Sequence, residues 1–149
     1  CKGTVVKSGA YIVGPVIIGK DCDIGPNCYI RPYTAIGDHC HIGNAVEVKN
    51  SIVMNGSKIP HLSYVGDSVI GEGCNLGAGT KVANLRFDKQ EITVDGRNTK
   101  RRKLGAIIGD NVETGINVSI NAGSVIGNNT WIGPAATVSG VISPDSRIF

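Results

Sequence analysis

The sequence predicts an all-β solenoid of hexapeptide repeats, on three observations. Aliphatic residues recur at Ile18, Ile24, Ile36 and Ile42, at Ile70 and Leu76, and at Ile108, Ile126 and Ile132, each followed by glycine and, within each block, spaced by multiples of six. Two positions before such residues stands a small or β-branched one, as at Val16, Cys22, Cys28, Thr34, Cys40, Cys74, Ala106, Ser124 and Thr130. Positions two apart on a strand share a face, so both members of each pair point inward. The chain of 149 residues also holds 21 glycines and only 5% aromatics, so small aliphatic side chains and turns must do the packing that rings do elsewhere.

Each hexad therefore reads as one short strand and one turn. The glycine after the aliphatic is assigned to the corner, where a positive φ is cheap only without a Cβ. Three sides close a triangular coil of about 18 residues, stabilised by stacking on its neighbours and needing cover at its ends.

Taken in order, the repeat runs from the N-terminal region through Val46 and Val48. From there to Val82 the inward aliphatics are Val48, Val53, Ile59, Val65, Ile70, Leu76 and Val82, with two gaps of five, so the coil is expected to deform around His61. The hexad lapses after Asn84 and resumes at Ala106, and the polar interval reads as a loop extruded from one corner at about 85–105. Coils continue through Val138, after which VISPDSRIF leaves the repeat and is expected to cap the last coil. Residues 1–149 thus form a single domain. A start at Cys1, straight into apolar alternation, suggests the C-terminal part of a longer chain.

The formal charge is +3, concentrated at Lys100 to Lys103 rather than along a face. That argues against a nucleic-acid partner and for small anions. No apolar run approaches the ~20 residues of a membrane span, and no secretory signal is evident. Of the five cysteines, Cys22, Cys28, Cys40 and Cys74 occupy the inward small-residue position, so they are expected to be free, buried thiols in a cytoplasmic protein.

Two cations break the glycine rule. Arg31 follows Ile30 and Lys49 follows Val48, one 18-residue coil apart, so they should stack on one corner and clamp a phosphate. His61 follows a proline, with Tyr64 three residues on, in a chain with few groups that move protons near pH 7. Glu47, one strand back and facing outward, is positioned to accept a hydrogen bond from the imidazole. His39 and His41, separated by one residue, do not match a zinc-ligand spacing, and no metal is expected.

At IRPYTAIG (30–37), HIGNAVEVKN (41–50) and HLSYVGDSVIGEGCNLGAGT (61–80) the chain resembles the C-terminal acetyltransferase domain of the bifunctional glucosamine-1-phosphate acetyltransferase / N-acetylglucosamine-1-phosphate uridyltransferase family, in its archaeal sugar-1-phosphate nucleotidylyltransferase form. The resemblance implies a left-handed parallel β-helix and an acetyl-CoA-dependent N-acetyltransferase acting on an amino-sugar 1-phosphate, on the route to UDP-N-acetylglucosamine. It implies a nucleotidyltransferase domain upstream, and a homotrimer with sites between subunits. By the same resemblance His61 matches the catalytic base and Glu47 the carboxylate near it. Arg31 and Lys49 match phosphate contacts, Tyr64 and Asn75 sugar contacts, and Asn84 a contact to the acetyl group. A lysine further on in the family has Gln90 at its spacing here, with Lys89 adjacent as the acetyl-CoA-binding candidate. Another acyl acceptor, or a non-enzymatic trimerisation scaffold, are the alternative readings.

Overall fold

The computed structural model describes residues 1–149 as a left-handed parallel β-helix without α-helix. Three parallel sheets form its sides. The first face stacks Val5–Val6, Asp23–Ile24, His41–Asn44, Lys58–His61, Asn75–Leu76, Glu113–Thr114, Trp131–Ile132 and Arg147–Ile148. The second stacks Tyr11–Ile12, Tyr29–Ile30, Glu47–Lys49, Tyr64–Gly66, Lys81–Val82, Ser119–Ile120 and Thr137–Val138. The third stacks Val16–Ile18, Thr34–Ile36, Ile52–Val53, Val69–Ile70, Ile107–Ile108, Val125–Ile126 and Val141–Ile142.

The inward pairs line up as columns because registry keeps each aliphatic over its equivalent one coil away, as in Ile24 to Ile42 to Ile59. Ile24, Ile30, Ile42, Ile59, Ile70 and Leu76 have no exposed surface. Burying each such side chain contributes about 1.5–3 kcal/mol, which explains why strands of two or three residues hold.

The small-residue columns add polar staples. The Ser57 hydroxyl donates to the Gly71 carbonyl (2.6 Å) and accepts from the Cys74 amide (2.9 Å). The Cys40 and Cys74 thiols, lying in the same column, donate to the carbonyls of Met54 and Gly109, each at 3.1 Å. Cys22, Cys28, Cys40 and Cys74 are all free and buried, as their positions predicted.

Gly25 holds the positive φ expected after the aliphatic, at 95°, but the other glycines of this position have another cause. Gly19, Gly71 and Gly77 do not have positive φ. The left-handed conformation falls two residues later, at Asp21, Asn27, Tyr33, His39, Gly73, Asn111 and their equivalents. What excludes a side chain after the aliphatic is the next coil: a Cβ on Gly71 would meet the Gly109 carbonyl carbon at 2.5 Å, and one on Gly77 the Gly115 carbonyl carbon at 2.5 Å.

Every departure from the hexad lies at the corner joining the second face to the third. The gaps of five fall there, at Asn50 (φ 46°) and Asp67 (φ 52°). The interval after Asn84 leaves from the same corner and returns to it, and carries a hairpin, Thr93–Val94 against Arg97–Asn98. Ile92 anchors this loop by burial, and Leu104 and Gly105 tie it back by donating to the carbonyls of Asn84 (3.1 Å) and Asp67 (2.8 Å). The expected deformation around His61 is therefore displaced: His61 lies at the corner between first and second faces, where the six-residue spacing of Ile59 and Val65 is regular.

The tail is likewise coil and not cap. Val141–Ile142 pairs with Val125–Ile126, and Arg147–Ile148 with Trp131–Ile132. The period is lost from the sequence only because the same corner is shortened again, at Gly140 (φ 76°).

Candidate functional site

The edited corner gathers a polar cluster that one carboxylate organises. Asp67, whose side chain is 7% exposed, accepts from the Lys49 ammonium at 3.0 Å and the Asn50 amide at 2.7 Å, and from the Asn84 amide. The same Asn84 amide nitrogen reaches the Tyr64 hydroxyl at 3.1 Å. Tyr64 and Asn84 can close in because Gly66 stands between them: a Cβ there would meet the Tyr64 hydroxyl at 2.5 Å and the Asn84 amide nitrogen at 2.8 Å. Burial alone would raise the Asp67 pKa, but donation from Asn50, Asn84 and Lys49 outweighs it and holds the carboxyl below its ordinary range. The Tyr64 phenol is pushed up, chiefly by burial, with Asp67 and Glu47 adding to the rise and Lys49 opposing it.

Asp67 was missed from sequence, although a signal existed: the two five-residue gaps mark the corner positions Asn50 and Asp67. Shortening the turn there replaces a splayed surface corner with a tight one, and its polar side chains converge.

Arg31 and Lys49 occupy equivalent positions of successive coils, as the 18-residue spacing requires. Each is paired. Arg31 donates to Glu47 at 2.8 Å, which raises the guanidinium pKa further. Glu47 is thus committed to Arg31 and not to the His61 imidazole, which corrects the expected contact. Register explains it: Glu47 lies beside Tyr29 and Tyr64 on the second face, whereas His61 pairs with Asn44 at the end of the first.

His61 is exposed, and its imidazole has no partner within the chain. Its backbone is held: the carbonyl accepts from the Ser63 hydroxyl (2.8 Å) and the Gly79 amide (3.1 Å). Tyr64 follows on the adjoining face, so one coil presents His61 at one corner, Tyr64 on the flat and Asp67 at the other corner. Asn75 is exposed on the first face, one coil beyond Lys58. Lys89 is not brought to the cluster. It lies on the extruded loop (φ 57°), where its carbonyl accepts from Arg102 at 3.0 Å. Beside it Arg86 grips Asp88 and holds that carboxyl at about 2. His41 sits over Asp23 at 3.2 Å, and His39 lies 3.9 Å from Asp21.

Tetrahedral or octahedral ligand sets are not assembled here. The geometry offers cations, amides and a phenol on one face beside a solvent-open imidazole, which suits an anionic polar substrate and proton transfer.

The "Bifunctional protein GlmU" of Methanococcus aeolicus is 50% identical over 101 residues, covering 66% of this chain and 25% of that protein. The "Bifunctional sugar-1-phosphate nucleotidylyltransferase/acetyltransferase" of Sulfurisphaera tokodaii is 57% identical over 92 residues, 59% of this chain and 23% of that one. The chain thus spans about a quarter of the length of the curated relatives it matches. Among solved structures, the Arabidopsis UDP-N-acetylglucosamine acyltransferase superposes with a TM-score of 0.58 at 20% identity, over 91% of this chain and 49% of the other, a likeness of fold. With the GMPPB C-terminal domain family matching residues 12–125, the chain belongs to that family.

Proposed function

We propose that this chain is the acetyltransferase domain of a longer bifunctional protein, transferring acetyl from acetyl-CoA to the 2-amine of an amino-sugar 1-phosphate such as glucosamine- or galactosamine-1-phosphate. The observation that carries the reading is the cluster of Arg31, Lys49, Tyr64, Asp67 and Asn84 on the face that His61 adjoins. The names of the relatives agree with it.

In this mechanism Arg31 and Lys49 orient the sugar phosphate, which is worth several orders of magnitude in rate if it places the amine against the thioester. Tyr64 and Asn75 contact the sugar. Neutral His61 takes a proton from the amine as its nitrogen forms the new bond to the acetyl carbonyl carbon. The tetrahedral oxyanion is stabilised by hydrogen-bond donors, with Asn84 beside the acetyl group, and collapses with loss of the CoA thiolate. Glu47 acts through Arg31 by fixing the guanidinium, and Lys89, on the loop away from the cluster, is left to the acetyl-CoA side.

An outward apolar row supports a homotrimer with shared sites. Ile17, Ala35, Ile52, Val69, Ile107, Val125 and Val141 stand in register down the third face. So long a stripe is costly to leave in water, which supports assigning it to the contact between subunits. No helix is long and apolar enough to cross a membrane, and buried free thiols suit a cytoplasmic location.

Thiol release from acetyl-CoA with glucosamine-1-phosphate, galactosamine-1-phosphate and unphosphorylated glucosamine tests the function. Release with a phosphorylated sugar is expected. His61→Ala should lower kcat about 10²–10⁴-fold with the assembly intact by light scattering, and full activity in that variant would discard the mechanism.

A further inference from the structure

The phosphate clamp is electrically neutral as it stands. Arg31 is matched by Glu47 and Lys49 by Asp67, at 2.8 and 3.0 Å. A sugar phosphate carries about −1.5 to −2 charges at pH 7, and a cluster with no net charge offers it local donors but leaves its charge unmatched.

Two cations beside the cluster are uncommitted. Around the edited corner, Asn50 and Asp67 of the cluster also line a cavity of about 340 Å³, at the edge of the apolar row through Ile52 and Val69, and the returning limb of the extruded loop adds Arg101, Lys103 and Leu104 to its lining. All eight ion pairs of the chain are made by other cations. The limb is fixed in place: Leu104 and Gly105 are bonded to Asn84 and Asp67, and the Arg101 carbonyl accepts from buried Ile92 at 2.8 Å. Tyr33, directly after Arg31-Pro32, borders the cavity and is 73% exposed. It holds φ 64° where the following coils place Asn50, Asp67 and Gly, a strained choice for a bulky residue that packing does not require.

We infer that Arg101 and Lys103 complete the acceptor site by binding the phosphate of the amino-sugar 1-phosphate from the loop side of the cavity, across from Asp67, which Lys49 grips. The inference rests on the proposed acetyl transfer for the identity of the sugar. Its electrostatics stand apart from it: the two unpaired charges turn a neutral clamp into one of about +2, matching the dianion. The sources of phosphate near this face are the acceptor and the diphosphate of acetyl-CoA. Proximity to Lys49 through Asp67 favours the acceptor, whose phosphate and amine sit on adjacent ring carbons.

The test uses the full-length protein carrying Arg101→Ala with Lys103→Ala, beside a charge-keeping Arg101→Lys, Lys103→Arg variant. Expected for the alanine pair is a rise of roughly 30-fold in KM for glucosamine-1-phosphate, with KM for acetyl-CoA within about twofold and the charge-keeping variant near wild type. A rise confined to acetyl-CoA overturns the assignment, as does no change in either. Calorimetric binding of glucosamine-1-phosphate without acetyl-CoA reads the site independently of turnover. If the wild type binds the sugar phosphate and the alanine pair binds at least tenfold more weakly, the site stands even where no thiol is released and the acetyl-transfer reading fails. Equal binding by both proteins, or none by the wild type, refutes the site.

Discussion

Replacing Asp67 by asparagine isolates what one buried carboxylate does for the edited corner. The shape is kept, but an amide nitrogen must now face one of three donors, Lys49, Asn50 or Asn84, and the Lys49 ammonium loses its counter-charge. Removing one partner of a fully buried pair costs about 3–5 kcal/mol. Lys49 keeps 19% of its side-chain surface in water and can turn outward, which lowers the expected cost to about 2–3 kcal/mol. For a domain of this size that is a fall in Tm of about 5–10 °C. Because a solenoid is stabilised coil by coil, the amides of Asp67 and Gly105, which bond Lys49 and Asp67 across this corner, should lose exchange protection more than those of distant coils. The pH dependence has a definite sign. The folded-state pKa of Asp67 is depressed, so its stabilisation is present above the unfolded value of about 3.9 and is lost as pH falls through the folded value below it. Thermal melts by circular dichroism should therefore separate wild type from Asp67→Asn at pH 7 and bring them together as pH falls through the depressed folded value of Asp67. Melting within about 1 °C of wild type at pH 7 would refute the reasoning, since it corresponds to less than about 0.5 kcal/mol.

Gly77→Ala drives a Cβ into the Gly115 backbone of the next coil and should cost about 3 kcal/mol or more by prising coils apart. Gly140→Ala meets nothing within 4 Å and pays only for φ 76°, about 1–2 kcal/mol. Denaturant midpoints compare the two, and the reverse order would show that φ and not coil spacing selects these glycines. Burial raises the thiol pKa of Cys28, Cys40 and Cys74, so an aromatic disulfide reagent at pH 8 should titrate the exposed Cys1 quickly and the four buried cysteines only on unfolding. Rapid reaction of a second thiol in the native protein would contradict that packing. Arg31→Ala should raise KM for the sugar phosphate much more than KM for acetyl-CoA, and steady-state kinetics showing equal effects would count against its place at the phosphate.

The period-six pairing of small and aliphatic residues determined the triangular coil, the inward columns and the fate of four cysteines, because each is a consequence of local alternation repeated at fixed spacing. It also placed Arg31 over Lys49 and marked the start of the loop at Asn84. Three things were decided only by coils meeting one another. The glycine after the aliphatic, at every coil but that of Gly25, answers to the backbone of the next coil and not to its own φ, a distance no single hexad contains. The tail, which loses the period in sequence, keeps it in space because only the corner at Gly140 was shortened. Glu47 pairs with Arg31 instead of His61, and Asp67 stands at the centre of the cluster, because stacking sets which outward side chains become neighbours. Sequence spacing carries that information only where the coil length is constant, and the candidate site sits where it is not.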